Sequence, residues 1–154
     1  MRRKEKEITD SAGINAIIEQ ATVCRLAMIN GDTPYIVPLC FGFQDNALYF
    51  HSALKGQKID WLRNNSNVCF EFDIGAAPVE SDEPCDWGMA YQSVIGFGKA
   101  VFVEDPDEKH RALAIIMAQY SDQEFQFPEN KVNATAVFKV EIESISGKQS
   151  LLPI

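Results

Sequence analysis

Apolar residues follow two spacings along the chain, one typical of helices and one typical of strands. Helical spacing over residues 10–21 predicts a short amphipathic helix, and the same spacing over residues 54–65 predicts a second. A third helix is predicted to begin at Asp105-Pro106, because an N-cap acid followed by proline favours a helix start. The predicted buried stripe of this third helix consists of Leu113, Ile116, Met117 and Tyr120.

Alternation of apolar and polar residues predicts strands over the segments 22–29, 35–43, 47–52, 67–73, 91–104 and 135–146. The Asn30-Gly31 pair and the segment 44–46 are turn signals, so the first three strands are predicted to form a meander. Residues 74–88 and 121–134 are predicted to be loops. Gly96 and Gly98, inside the long fifth strand, predict a bend at that point.

The order of the elements indicates the fold class. Hairpins outnumber strand–helix alternation, which disfavours a doubly wound parallel sheet and favours an antiparallel barrel with helices at its ends. At 154 residues, two domains would each lie near the lower size limit of an independent core. We therefore expect a single mainly β (α+β) domain over residues 1–154.

The formal net charge of −8 excludes several classes of partner. Nucleic acids and anionic membrane surfaces both require a basic face, so neither is expected to bind this chain. No apolar run approaches the ~18 residues of a membrane-spanning helix. The charged start lacks the apolar core of a signal peptide, so we expect a cytoplasmic protein.

The cysteines show no CxxC spacing, so no metal site is predicted. Cys24, Cys40 and Cys69 lie in apolar runs and are predicted to be buried thiols, whereas Cys85 is predicted to be exposed. His51 ends the apolar strand 47–52. It is either a core or strand-end histidine with a satisfied hydrogen bond, or a functional residue.

One short segment departs from the acidic average. Residues 51–66 contain Lys55, Lys58 and Arg63 against Asp60 alone, a net charge of +2, so the rest of the chain carries −10. Where a strand gives way to a helix, lysines and free backbone N–H groups favour binding of a phosphate. A solvated helix face is the alternative explanation of the same residues.

Short motifs stand in a consistent order along the chain, namely Tyr35-Ile36-Val37-Pro38-Leu39, Leu48-Tyr49-Phe50-His51-Ser52-Ala53, Gly56-Gln57-Lys58, Val68-Cys69-Phe70-Glu71, Cys85-Asp86-Trp87 and Ser93-Val94-Ile95-Gly96-Phe97-Gly98. Together with the Met1-Arg2-Arg3 start, they resemble the pyridoxamine 5′-phosphate oxidase-like flavoproteins. Within that superfamily they are most similar to the 5-nitroimidazole-resistance reductase group. The resemblance covers residues 1 to about 120.

The resemblance implies an FMN-binding, antiparallel split β-barrel with a few flanking helices. It also implies a homodimer with the flavins at the subunit interface. Ser52, Lys58 and Lys55 would hold the FMN phosphate, in agreement with the charge argument above. Tyr91 and Ser93 would come from the long strand and reach the flavin of the partner subunit.

The resemblance also places the flavin ring against the backbone of Val37, Pro38 and Leu39, which would explain a proline inside a predicted strand. His51 would be the catalytic residue beside the flavin, donating a proton to the reduced substrate. Arg25 is a candidate cation for the anionic reduced flavin, with a solvated or dimer-interface arginine as the alternative.

These expectations favour an FMN-dependent reductase of small planar acceptors, such as nitroimidazoles or other nitro-aromatics. The C-terminal arginine- and histidine-bearing segment of true pyridoxamine phosphate oxidases has no counterpart in residues 147–154, so vitamin B6 oxidation is disfavoured. One alternative is a non-catalytic flavin- or haem-binding dimer that senses or stores its ligand. A barrel that serves only protein interaction is the other.

Overall fold

The computed structural model describes residues 4–150, so the Met1-Arg2-Arg3 motif lies outside the described residues. The helices are α1 (Ser11–Gln20), α2 (Gln57–Asn64), α3 (Pro106–Ala118) and α4 (Glu129–Asn133). The strands are β1 (Glu7–Ile8), β2 (Cys24–Asn30), β3 (Thr33–Leu39), β4 (Gly42–Gln44), β5 (Ala47–Ala53), β6 (Asn67–Val79), β7 (Gly88–Val103) and β8 (Thr135–Ser150). Single 3₁₀ turns cover Lys4–Lys6 and Pro84–Asp86. None of the helices over residues 4–150 has the length and hydropathy that a membrane crossing requires.

The strands form one antiparallel sheet in the order β3-β2-β6-β7-β8-β5-β4, with β1 paired to β8. The strands β3 and β4 are consecutive in the chain but lie at opposite ends of this order. Only Cys40 and Phe41 connect them, so the two edges of the sheet are held near each other without pairing. The predicted antiparallel split β-barrel with flanking helices is confirmed.

The predicted strand over 35–43 and the three-strand meander are wrong. The segment is divided into β3, which pairs with β2, and β4, which pairs with β5. A continuous apolar run hides the break at Cys40, because a period of two is the same on both sides of it. The Gln44–Ala47 hairpin itself is confirmed. Its loop residues Asp45 and Asn46 both have positive φ, as a type I′ turn requires.

The predicted loop over 74–88 is also wrong at residues 74–79 and at Gly88, which belong to strands. Residues up to Val79 continue β6, and the strand pairs with β7 after a register shift between Ile74 and Ala77. The strand tolerates Pro78 because β2 pairs with β6 only over residues 68–71, which leaves this part of β6 at an edge. The connection between the strands is therefore residues 80–87.

Other element boundaries in the structure also differ from the predicted ones. The strand β8 extends to Ser150 rather than 146, because its end pairs with both β7 and β1. The predicted loop over 121–134 contains α4. At the glycines for which a bend is predicted, the pairing of β7 with β8 shifts register between Phe97 and Gly98.

Aromatic side chains fill the barrel. Residues that are completely buried include Phe41, Phe50, Phe70, Phe72 and Phe138, and the helix α1 adds Ile17 and Ile18 to the same core. One face of every long strand is therefore buried in the core. Residues that bind a ligand must lie on the outer face or at the edges of the sheet.

The predicted stripe of α3 is only partly correct. Ile116 is buried as predicted, but Leu113 and Met117 are half-buried and Tyr120 is exposed. Ala112 and Ile115 take their places on the buried face. The helix packs tightly on β4, where a Cβ atom on Gly42 would lie 2.6 Å from the Ile115 backbone. This close approach sets the rotation of the helix.

The cysteine predictions are confirmed in part. Cys24 is buried and Cys85 is exposed, as expected, and Cys69 is half-buried. Cys40 is exposed, contrary to the prediction, because it lies in the connection between β3 and β4 and outside both strand ladders.

Candidate functional site

Two backbone edges border the split of the barrel. The pairing of Gly42 with Tyr49 would place Cys40 opposite His51 if the β4–β5 ladder continued, but the chain has left the ladder at that point. Within residues 4–150, β3 pairs with β2 alone, so the other edge of Val37–Leu39 has no strand partner. The opening bordered by Val37–Leu39 and His51–Ala53 is here named the split cleft. Pro38 thus lies on an edge strand, as its missing N–H requires.

The helix α2 lies at one end of the split cleft. It follows β5 directly, buries Ile59 and Leu62, and brings the Trp61 ring within 5.3 Å of the Tyr35 ring on β3. The helix therefore begins at the β5 wall of the split cleft and packs against the strand that forms the other wall.

The N-terminus of α2 has no side-chain cap. Its N-cap residue is Gly56, whose φ of 141° is a conformation that favours glycine. Apart from Gly56 itself and its two chain neighbours, no atom lies within 4 Å of the position that a Cβ would take there. The first N–H groups of a helix have no partner inside the helix, and no side chain caps them here, so they can bind an anion.

The lysines predicted for the phosphate lie at the β5–α2 junction together with Ser52. Lys58 is half-buried in the first turn of α2, and burial lowers the pKa of its ammonium group. No ion pair of Lys58 or Lys55 forms among the residues 4–150. Arg63 is different, because it pairs with Glu104 at 3.7 Å. The charge available for an anion is therefore that of the two lysines.

His51 lies on the outer face of β5 and is not a core residue. Partial burial lowers the pKa of its imidazole, and the charge of nearby Lys58 lowers it further. The ring is therefore neutral at pH 7 and takes up a second proton only below the ordinary value of about 6.5. The structure brings His51 and Lys58 close enough for the charge of Lys58 to act on the imidazole.

Tyr91 and Ser93 are not brought to His51 within one chain. The strand pairs place His51 opposite Val137 on β8, and Val137 opposite Val103 on β7. Tyr91 lies twelve residues before Val103 on the same strand, which is about 40 Å along an extended backbone.

The candidate cation Arg25 is already engaged. Its guanidinium bonds to the Glu71 carboxylate at 3.1 Å and also to the Asp73 carboxylate. All three side chains lie on the outer face of the sheet and are partly exposed. Two carboxylates offset the single positive charge, so Arg25 is not a free cation for a flavin.

The outer face of the sheet also carries an apolar stripe. Ile36, Ala27, Cys69 and Phe97 stand directly opposite one another across β3, β2, β6 and β7. Ile36 is 59% exposed and Phe97 is 55% exposed, and Ile95 extends the stripe along β7. We name this row of residues, together with Ile95, the outer stripe.

Sequence reasoning missed the role of Tyr120, which it placed in the buried stripe of α3. Its hydroxyl bonds to the Phe41 N–H and to the Thr22 carbonyl, both at 3.0 Å. Partial burial raises the pKa of Tyr120 to about 12, so the hydroxyl stays protonated and can donate. No local pattern reveals this contact, because Tyr120 and Phe41 are 79 residues apart.

The sequence and the structure of the chain are both similar to those of known proteins. A family model described as pyridoxamine 5′-phosphate oxidase matches residues 10–149. A crystal structure from Bacteroides thetaiotaomicron, of a protein whose proposed role is 5-nitroimidazole antibiotic resistance, is 36% identical. That likeness covers 93% of this chain and 86% of the other, with a TM-score of 0.84.

More distant structures share the fold. The flavocytochrome of Azotobacter vinelandii is 18% identical, with a TM-score of 0.86 over 99% of this chain and 73% of its own. An FAD-binding protein of Mesorhizobium loti is 23% identical, with a TM-score of 0.68 over 93% of this chain and 96% of its own. An uncharacterized protein of Rhizobium meliloti is 40% identical over 55 residues, which is 36% of each chain.

The pKa of His51 tests the geometry of the junction directly. We expect Lys58→Met to raise this pKa toward 6.5, because the charge that lowers it is removed while burial remains. NMR titration of the two histidines measures it. His110, whose pKa is raised by its bond to the Pro106 carbonyl, serves as the internal reference.

Lys55→Met is the matched control, since Lys55 does not contribute to the shift of His51. An unchanged pKa of His51 in Lys58→Met would show that the two side chains are not neighbours.

Proposed function

The chain belongs to the pyridoxamine 5′-phosphate oxidase family, and we propose that it binds FMN in the split cleft and reduces small planar acceptors such as nitroimidazoles. The observation that carries this proposal is the half-buried Lys58 beside the uncapped N-terminus of α2. A flavin cofactor is further supported by structural neighbours that bind flavin. The acceptor class is supported by the 36% identical protein assigned to nitroimidazole resistance.

The phosphate of FMN would lie at the β5–α2 junction. A partly buried ammonium group without a carboxylate partner is unfavourable in itself, so a bound dianion would stabilise it. The Lys58 ammonium, the N–H groups after Gly56 and the Ser52 hydroxyl are all donors, and Lys55 adds a second positive charge. This set suits a compact phosphate and offers nothing to a cation.

The flavin ring would lie along the free edge of β3. Backbone N–H and C=O groups of an edge strand are unpaired, and the rim of a flavin ring presents donors and acceptors to match them. Val37 and Leu39 direct their side chains toward the core, so the backbone and the exposed Pro38 are what a ligand in the split cleft would meet.

When bound, FMN would supply the electrons for reduction of the acceptor. The residues of the chain would orient the flavin and the acceptor, and would supply a proton to the acceptor. Near pH 7 the N–H of the neutral His51 imidazole would hydrogen-bond to the acceptor, and the imidazolium form, favoured at lower pH, would donate the proton. Arg25, bound by Glu71 and Asp73, takes no part.

The outer stripe would be the dimer interface. Large apolar side chains that are contiguous and exposed are unusual on a monomer, and here they lie in register across β3, β2, β6 and β7. A second copy of the chain would cover them. In such a dimer, Tyr91 and Ser93, which lie on the same outer face of β7, would be directed toward the partner subunit.

Reoxidation of the reduced flavin tests the reductase directly. We expect protein loaded with FMN and reduced without oxygen to regain its visible flavin absorbance when a nitroimidazole is added. His51→Asn should slow this step by about 10²-fold, because the proton donor is lost. The wild-type rate should rise as the pH falls below 6.5, since the pKa of His51 is lowered, and His51→Asn should lose this dependence.

His110→Asn is the control, because this other histidine bonds to the Pro106 carbonyl of its own helix. A flavin that stays reduced after the addition would contradict the reductase proposal for that acceptor and leave a flavin-binding protein. A chain that binds no FMN at all would contradict the proposal as a whole.

The dimer has its own test. We expect Phe97→Asp to convert a dimer into a monomer in sedimentation, because it replaces a large exposed apolar side chain of the outer stripe by a charge. Phe125→Asp is the matched control, since Phe125 is also exposed, at 41%, but lies in the segment after α3. A wild-type monomer, or a Phe97→Asp variant that remains dimeric, would contradict this interface.

A further inference from the structure

The hydroxyl of Tyr120 takes the place of a backbone hydrogen bond between β2 and β3. Cys24 and Leu39 form the last pair of this ladder, so the same register would place Thr22 opposite Phe41. These two residues do not bond to each other. Instead, the Phe41 N–H donates to the Tyr120 hydroxyl and the hydroxyl donates to the Thr22 carbonyl, each at 3.0 Å.

Because the Tyr120 hydroxyl lies between the two chain segments, the Phe41 nitrogen and the Thr22 oxygen are further apart than in a direct hydrogen bond. A direct backbone hydrogen bond holds its N and O atoms about 2.9–3.0 Å apart, whereas two bonds in series of 3.0 Å hold them further apart. Phe41 is completely buried, so its N–H must have a partner wherever the chain runs. Tyr120 therefore lets the chain leave β2 at Cys40 without an unpaired buried donor.

We propose that Tyr120 is a positioning residue for the flavin, because its hydroxyl holds the crossover at Cys40 and Phe41 open and so sets the place of the Val37–Leu39 edge. This inference rests on the proposed function, which puts the flavin ring against that edge. Without the hydroxyl, the Phe41 N–H can bond directly to the Thr22 carbonyl. The ladder would then lengthen by two residues and draw the end of β3 away from the split cleft.

The neighbouring residue Gln119 makes a separate set of contacts. Its side-chain amide donates to the carbonyls at the end of α1, at 3.2 Å to Ile18, 3.1 Å to Glu19 and 3.1 Å to Ala21. Both residues thus attach the end of α3 to the barrel, but only Tyr120 contacts the crossover. Gln119 is therefore a matched control for any effect that comes from stability alone.

The experiment compares Tyr120→Phe with Gln119→Met. The first variant keeps the aromatic ring and removes the hydroxyl, and the second keeps the side-chain length and removes the amide. We expect Tyr120→Phe to weaken FMN binding by about fivefold, the effect of one neutral hydrogen bond. We also expect it to shift the amide resonances of Leu39 and Cys40 in the protein without FMN. Gln119→Met should lower the melting temperature and leave the FMN dissociation constant unchanged.

An unchanged FMN dissociation constant in Tyr120→Phe overturns the inference, whatever the amide resonances do. An equal loss of affinity in both variants also overturns it, since that result reports stability rather than position. A wild-type chain that binds no FMN overturns the proposed function instead. The amide resonances of Leu39 and Cys40 then still show whether the hydroxyl holds the crossover open.

Discussion

The interruption of pairing at Cys40 and Phe41 is the constraint on which the rest of the structure depends. Because β3 ends on one edge of the sheet and β4 begins on the other, the barrel cannot close at this point. A closed barrel would have no free backbone near His51. The interruption leaves two unpaired edges, and the Tyr120 hydroxyl and the tight packing of Gly42 on α3 stabilise the crossover between them.

Two positive charges that have no ion-pair partner among the described residues lie beside the split cleft. The acidic residues are distributed over the rest of the chain, while Lys55 and Lys58 stand without ion pairs among the described residues, where α2 begins beside the split cleft. Burial lowers the pKa of Lys58, and burial together with the charge of Lys58 lowers the pKa of His51, so this junction disfavours a further cation. A bound phosphate would reverse this effect, since it would favour the charged form of both groups.

Much of the site could be predicted from the sequence because it is local. His51, Ser52, Lys55 and Lys58 follow one another through a strand end and a helix start, and spacing alone places them together. The crossover could not be predicted, since the hydroxyl that bridges Phe41 and Thr22 beyond the end of the β2–β3 ladder belongs to a residue 79 positions from Phe41. The rotation of α3 was missed for a similar reason, because it depends on a close contact with Gly42. The sequence pattern also gave no sign that Arg25 is bound by Glu71 and Asp73.

The affinities for FMN and riboflavin test the central claim most directly, because these ligands differ only by the phosphate. We expect wild-type protein to bind FMN more tightly, by about 1.5–3 kcal/mol for the charge-assisted contact with Lys58 alone. Lys58→Ala should lose most of this difference and leave riboflavin binding unchanged, whereas Lys99→Ala, on the outer face of β7, should retain it. Equal affinities of the wild-type protein for FMN and riboflavin would contradict a phosphate site at the start of α2.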